Sequence, residues 1–211
     1  FDDPRIAFLL QEKFPFVAFG RSNPERDISF VDVDGAQGIT MVVEHLLRLG
    51  HRAIALLGWP EGSRVGQDRL AGYSRALNAA GISLREEWIA RGEGSAAFGQ
   101  RATARWLDGD CPPTAIVALD DWMAIGAMRA VQEKGLHVGT DIAITGFDDV
   151  PMASCLSPPL TSVRQPVWQV GQEVVRILTG LLNDDTPDPR QVLLAPRLVV
   201  RESSGPGRAV S

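Results

Sequence analysis

The residues best suited to chemistry are carboxylates and one guanidinium that follow short apolar runs. Asp120-Asp121 follows Ala115–Leu119, Asp148-Asp149 follows Ile142–Phe147, and Arg69 lies beyond Ala53–Leu57 and its Gly58-Trp59-Pro60 turn. An earlier run, Phe16–Phe19, ends in Gly20-Arg21 and contributes Phe19 to the candidate set. Carboxylates and a guanidinium pair with the hydroxyls of a sugar or polyol, each buried charge-assisted hydrogen bond contributing roughly 1.5–3 kcal/mol. Trp59 and Trp122 are the aromatics available to stack on the apolar face of such a molecule, or to pack in the core. Local structure competes for the same residues. Asp121, directly before a helical run, reads as an N-cap, and Asp149 reads as a cap or turn residue. Asp120 and Asp148 are harder to assign to capping. Arg69 is expected in the first turn of a helix over Asp68–Ala80, where a cation opposes the helix dipole, which disfavours a purely structural role.

Catalytic patterns are thin. Gly58, Gly62 and Gly66 recur every four residues and fit no phosphate loop, dinucleotide fingerprint or nucleophile elbow. His45 falls inside an amphipathic helix and His51 just after its terminal Gly50, positions that favour structural roles. Asp120 and Asp148 form a pair conceivable in glycoside hydrolysis, but nothing in the sequence tunes their acidity. Cys111 and Cys155 have neither metal-ligand nor disulfide-framework spacing, as expected for a reducing compartment and also for a cysteine-poor secreted protein. No catalytic residue, metal or cofactor is expected.

These residues must be positioned by a parallel α/β architecture, because β-rich runs alternate with helical ones. The strands are expected at Phe16–Phe19, Ser29–Val33, Ala53–Leu57, Trp88–Arg91, Ala115–Leu119 and Ile142–Phe147, with a final extended run over Gln191–Val200. Helices are expected at Pro4–Lys13, Gly35–Leu49, Asp68–Ala80, Phe98–Leu107, Trp122–Lys134 and Val167–Leu182. In open parallel sheets, ligands bind beyond the carboxyl ends of the strands, where the candidate residues fall. Boundaries are expected near Asp32 and near Pro158-Pro159, and Ser203–Ser211 reads as a frayed tail.

With 211 residues, 45% hydrophobic and 22% charged, the chain has the makeup of an ordinary globular protein of one large or two small lobes. Its apolar runs are far shorter than the roughly 20 residues of a membrane-spanning helix. Lys and Arg total 21 against 26 Asp and Glu, a net charge of −5, so the chain has no basic excess to neutralise a phosphate backbone.

In order and spacing, several motifs resemble the effector-binding domain of LacI/GalR-family transcriptional regulators. They are Val31-Asp32-Val33-Asp34-Gly35; His45–Arg52 leading into Ile54–Leu57; Arg69-Leu70-Ala71-Gly72-Tyr73; Pro113–Ile116 through Asp120–Gly126; and Gly139–Asp149 continuing through Pro158–Pro166. The resemblance covers nearly the whole chain up to Val200. It implies a two-lobed periplasmic-binding-protein-like fold with parallel sheets flanked by helices and an incomplete N-terminal lobe. Residues 1–32 would be the remaining part of that lobe, 33–160 the C-terminal lobe, 161–202 a crossover back to the first lobe and return, and 203–211 a flexible tail. A helix-turn-helix headpiece and the first strands would precede Phe1.

By the same resemblance, a small effector of the sugar class occupies the cleft between the lobes. Arg69 and Asp148 would hold its hydroxyls, Asp120 would line the cleft, and Gln165 would sit near the hinge; Trp59, Trp122 and Phe19 complete the candidate ligand set. The chain departs from the family pattern at Gly20-Arg21 and at Gly94. The resemblance further implies a cytoplasmic homodimer that binds operator DNA through the headpiece, with no membrane partner. Trp122–Lys134 and Met152–Leu156 resemble dimer surfaces, core and loop being the other reading. The rival within the fold is the secreted sugar-binding protein of an ABC transporter; the rival from another class is a carboxylate-based sugar hydrolase.

Overall fold

Strands that are buried on both faces read as continuous apolar runs rather than alternating ones, and three such runs form the centre of the larger sheet. The computed structural model describes residues 3–21, 27–183 and 190–205. It comprises two units, each assembled from two stretches of chain: Phe1–Asp34 with Gln165–Pro196, and Gly35–Arg164 with Arg197–Ser211.

In the first unit, strands β1 (Ala18–Phe19), β2 (Phe30–Val33) and β8 (Gln191–Leu194) form a parallel sheet in the order β1-β2-β8, with Val31 opposite Val192. Helix α1 (Pro4–Gln11) precedes it, and helix α6 (Val167–Leu182) places Val170 and Ile177 against Val31 and Val33. Arg21 pairs with Asp32 at 2.8 Å, so the expected Gly20-Arg21 end of β1 is tied to the neighbouring strand.

The second unit holds a six-stranded sheet in the order β4-β3-β5-β6-β7-β9. Its strands are β3 (Ile54–Gly58), β4 (Ile89–Arg91), β5 (Ala115–Ala118), β6 (Ala143–Asp148), β7 (Thr161–Arg164) and β9 (Arg197–Val199); all pair in parallel except β9, which runs antiparallel to β7. Helices α2 (Gly35–Arg48) and α3 (Arg64–Ala79) cover one face, packing Ile39, Val42, Leu46, Tyr73 and Leu77 on Leu56, Val117 and Phe147. Helices α4 (Ala96–Leu107) and α5 (Asp121–Glu133) cover the other, packing Ala102, Met123, Ala127 and Val131 on Leu57, Ile116 and Ile144. Successive strand residues thus serve opposite cores, as a pleated strand requires. At the α4–α5 crossing, a Cβ on Gly126 would lie 1.9 Å from the Ala96 carbonyl oxygen, so the two backbones meet directly.

Several expectations change. The single extended run Gln191–Val200 is two strands in different units, broken at Ala195-Pro196. Strand β7 lies just past the boundary expected at Pro158-Pro159, where no strand is expected, and Trp88 ends a short 3₁₀ turn rather than starting β4. Ser203 and Ser204 are not frayed: both are buried, Ser203 donating to the Ile144 carbonyl at 2.6 Å and Ser204 meeting His45 at 2.9 Å and Thr161 at 2.8 Å. His51 completes this fastening through Thr114 and the Gly205 carbonyl. Burial is the main cause that lowers both imidazoles from their ordinary value. The rest of the expected tail, 206–211, lies outside the described residues. Among the described residues, no helix is long and apolar enough to cross a membrane, and no cluster of three His, Cys, Asp or Glu side chains is placed to hold a metal.

Candidate functional site

The strand order makes β3 the point at which the chain reverses direction across the sheet: β4 is added on one side, then β5 on the other. Loops leaving neighbouring strands diverge at such a point, opening a crevice at their carboxyl ends. Trp59 leaves β3 there and Asp120 leaves β5. They meet across the gap, the Trp59 indole donating to Asp120 Oδ2 at 2.9 Å. The other oxygen, Oδ1, accepts from the Met123 amide at 2.7 Å, so Asp120 is the N-cap of α5. This reverses the expected assignment, in which Asp121 capped the helix and Asp120 was free for a ligand. A Cβ on Gly94 would come 2.8 Å from Asp120 Oδ2 and 3.0 Å from the Trp59 indole nitrogen, so the departure at Gly94 makes room for this pair.

Arg69 crosses the same region. Helix α3 starts five residues before Arg69, capped by Ser63, whose hydroxyl accepts from the Gly66 amide. Arg69 therefore sits in the second turn, not the first, and the expected clash with the helix dipole does not arise. Its side chain is only 6% exposed. The guanidinium lies 3.5 Å from the Phe147 ring centre and 4.9 Å from that of Trp59. Nη1 donates to the Leu119 carbonyl, and Nη2 is 3.9 Å from Asp148 Oδ1. A planar cation over aromatic faces is restrained in position, and its N–H donors lie in one plane.

Asp148 ends β6 with its carboxyl about one-third exposed. It has φ +108° and Asp149 has φ +53°, both on the left-handed side of backbone space. Each such non-glycine residue costs about 1–3 kcal/mol and persists only where its surroundings enforce it. Here the enforcement is polar. The Asp149 carboxyl is buried and paired with Arg164 and, at 2.7 Å, with Arg201. Its amide donates to Ser162 Oγ at 3.1 Å, and the Val150 amide donates to Asp121 Oδ2 at 2.8 Å. Asp121 is buried, accepts from the Ser162 hydroxyl at 2.6 Å, and has its carboxyl pushed up to about 6, chiefly by burial.

Of the expected site residues, Arg69, Trp59, Asp120 and Asp148 come together at the carboxyl end of this sheet. Trp122 stands in the first turn of α5, 52% exposed. Phe19 and Gln165 belong to the other unit: Phe19 closes β1 and is 68% exposed, while Gln165 lies just before α6 and accepts from the Val167 amide. Sequence reasoning did not single out Phe147, Asp121, Ser162, Arg164 or Arg201 as site residues. For the last four the available signal was the doubled Asp148-Asp149, since two adjacent carboxylates at a strand end require partners.

A doubly wound parallel sheet with charged and aromatic groups at its reversal point defines a ligand-binding α/β domain, and residues 43–204 match the model of the periplasmic binding protein-like domain. A LacI-family regulatory protein from Chloroflexus aggregans is 49% identical, superposes with a TM-score of 0.93, and is covered over 74% of its chain by 97% of this one. The transcriptional regulator CelR of Thermobifida fusca is 35% identical over 96% of this chain and 60% of its own length. A structure of a CelR–cellobiose complex aligns with a TM-score of 0.88 at 35% identity, over 96% of this chain and 62% of that one. The chain belongs to the periplasmic-binding-protein-like family, and within it to the LacI-type regulators. It spans about three-fifths of the length of the curated regulators it matches.

Proposed function

We propose that this chain is the effector-binding part of a LacI-type transcriptional regulator and takes a small polyhydroxylated ligand of the sugar class. One observation carries the ligand site: a buried guanidinium, over the rings of both Phe147 and Trp59 at the sheet's reversal point, faces a partly open carboxylate at Asp148. Arg69 supplies N–H donors and Asp148 supplies acceptors, and vicinal hydroxyls offer both functions. Trp59 adds an apolar face. Asp120 acts from behind, by fixing the Trp59 ring. The two units are the lobes of the effector-binding fold.

The whole protein controls operator DNA as a cytoplasmic homodimer, through a separate headpiece. The net charge of −5 supports assigning DNA contact to another segment. The names of its relatives favour a regulator over the binding protein of a transporter, and over an enzyme. The sugar bound in the CelR complex makes cellobiose the first probe, within a panel of mono- and disaccharides.

Thermal unfolding of the chain with each sugar tests the reading. A ligand at 100 times its Kd adds about 2.7 kcal/mol to stability. Arg69→Met and Asp148→Asn are expected to lose that gain. Absence of stabilisation by any member of the panel, or its full retention in both variants, would remove the site.

A further inference from the structure

Asp121 is buried directly behind the strained turn that carries Asp148, yet it is turned away from the Arg69 cluster's hydrogen bonds and towards the backbone of that turn. We propose that Asp121 is a positioning residue: with Ser162 it locks the Asp148-Asp149-Val150 turn, and so fixes the direction in which Asp148 presents its carboxyl beside Arg69. The role deepens the ligand site proposed above and rests on it.

The hydrogen bonds form one directed relay. The Asp149 amide donates to Ser162 Oγ at 3.1 Å, the Ser162 hydroxyl donates to Asp121 Oδ1 at 2.6 Å, and the Val150 amide donates to Asp121 Oδ2 at 2.8 Å. Both Asp121 oxygens accept, and the ionised carboxylate is the form in which neither carries a hydrogen that competes with the incoming donors. An asparagine replaces one acceptor by an NH2 donor and leaves the Ser162 hydroxyl or the Val150 amide without its acceptor; a protonated carboxyl keeps both oxygens but sets its own O–H against one of these donors and weakens that bond. The fold makes space for the group: a Cβ on Gly146, in strand β6, would lie 2.2 Å from Asp121 Oδ1. Both members are sealed from water, Asp121 at 1% and Ser162 at 0% exposure.

The charged groups around the turn divide by task. Arg164 and Arg201 hold the Asp149 carboxyl, and Arg69 faces Asp148. Asp121 and Ser162 hold two amides of the turn, Asp149 and Val150, which no side chain of the arginine set reaches in these pairs. With its carboxyl near 6, raised by burial and further by Asp148 and Asp149 against the lowering effect of Ser162 and Val150, Asp121 takes up in mild acid a proton that competes with the donors it holds. The ligand site then loosens over the same range.

The test is residue-resolved amide exchange on the 211-residue chain at a fixed, mildly alkaline pH, with Asp121→Asn, Ser162→Ala and Ser162→Thr. The first two are expected to exchange at least about tenfold faster at Asp149 and Val150, with the Ile144 amide unchanged, while Ser162→Thr, which keeps the hydroxyl, retains protection. Unchanged exchange at both turn amides overturns the lock. So does equal acceleration at Ile144, which would make Asp121 a plain core contact, and so does a Ser162→Thr chain that behaves like Ser162→Ala. Cellobiose affinity is measured in parallel from about pH 7.5 to about pH 5. The wild-type Kd is expected to rise about tenfold with a midpoint near 6, and the Asp121→Asn profile to be flat. A wild-type chain that binds neither cellobiose nor any other sugar of the panel sinks the ligand reading, and the exchange data still decide the lock.

Discussion

Burying Asp121 opposes stability at neutral pH, and the size of that effect is measurable through pH. Its carboxyl is raised from 3.8 to about 6, with burial as the largest cause. In the unfolded chain it returns to about 3.9. Between those values the native state keeps a proton that the unfolded state has released, so this group's contribution is fully present below about pH 4 and lost as pH rises through about 6. At about 1.4 kcal/mol per pH unit, the whole displacement amounts to about 3 kcal/mol. His45 and His51 act with the opposite sign: burial lowers them from 6.5, so their contribution is present above that pH and lost on acidification. The raw wild-type curve mixes both trends, and only the difference between wild type and Asp121→Asn isolates the carboxyl. Urea unfolding followed by tryptophan fluorescence at several values between about pH 4 and about pH 7.5 supplies it. The Asn variant is expected to gain about 3 kcal/mol relative to wild type across that range, mostly between about pH 4 and about pH 6. A difference constant to within about 0.5 kcal/mol would refute the assignment of a high native pKa to Asp121.

Two further substitutions probe the scaffold. Gly126→Ala gains about 1 kcal/mol of helix propensity, but its methyl would sit 1.9 Å from the Ala96 carbonyl oxygen and force α4 and α5 apart, so net destabilisation of about 1–3 kcal/mol is expected in urea unfolding. An increase in stability would mean that the crossing is looser than described. Tyr73→Phe removes the buried hydroxyl that donates to the Ile54 carbonyl at 2.7 Å, and a loss of about 1–2 kcal/mol is expected, read as a lower denaturation midpoint at unchanged slope.

The strands of the second unit are legible where burial on both faces demands apolar runs, as in Ala53–Leu57, Ala115–Leu119 and Ile142–Phe147. Strand β7 is not. Its Thr161 and Ser162 are fully buried, but they are satisfied by Ser203, Ser204, Arg201 and Asp121, partners that hydropathy does not see. The site shows the same division. Trp59, Asp120 and Asp148 can be found by inspecting the polar and aromatic residues at the carboxyl end of each strand, and Arg69 by following β3 into the helix after it. The exchange of roles between Asp120 and Asp121 cannot, because a helix that starts one residue earlier swaps the cap for a buried group, and both residues are aspartate. Ser203 and Ser204 resemble tail in sequence because small polar residues are ambiguous until the carbonyl and hydroxyl groups they meet are known.

The division of each unit into two stretches of chain has a consequence for biosynthesis. Five of the six strands in the larger sheet, β3 to β7, are complete by Arg164, and each pairs with a strand near it in sequence. In the smaller sheet, β2 must wait for β8: Val31 and Val192 are partners across most of the chain's length. Contacts so distant in sequence are slow to form. On a ribosome the larger sheet can therefore assemble through β7 while β2 is still without its partner strand, and the last stretch, Gln191–Ser204, completes both units in one pass as β8 and then β9 dock. Pulse-labelled amide exchange during refolding is expected to protect Leu56, Val117 and Ile144 before Val31, and the reverse order would contradict this sequence of events.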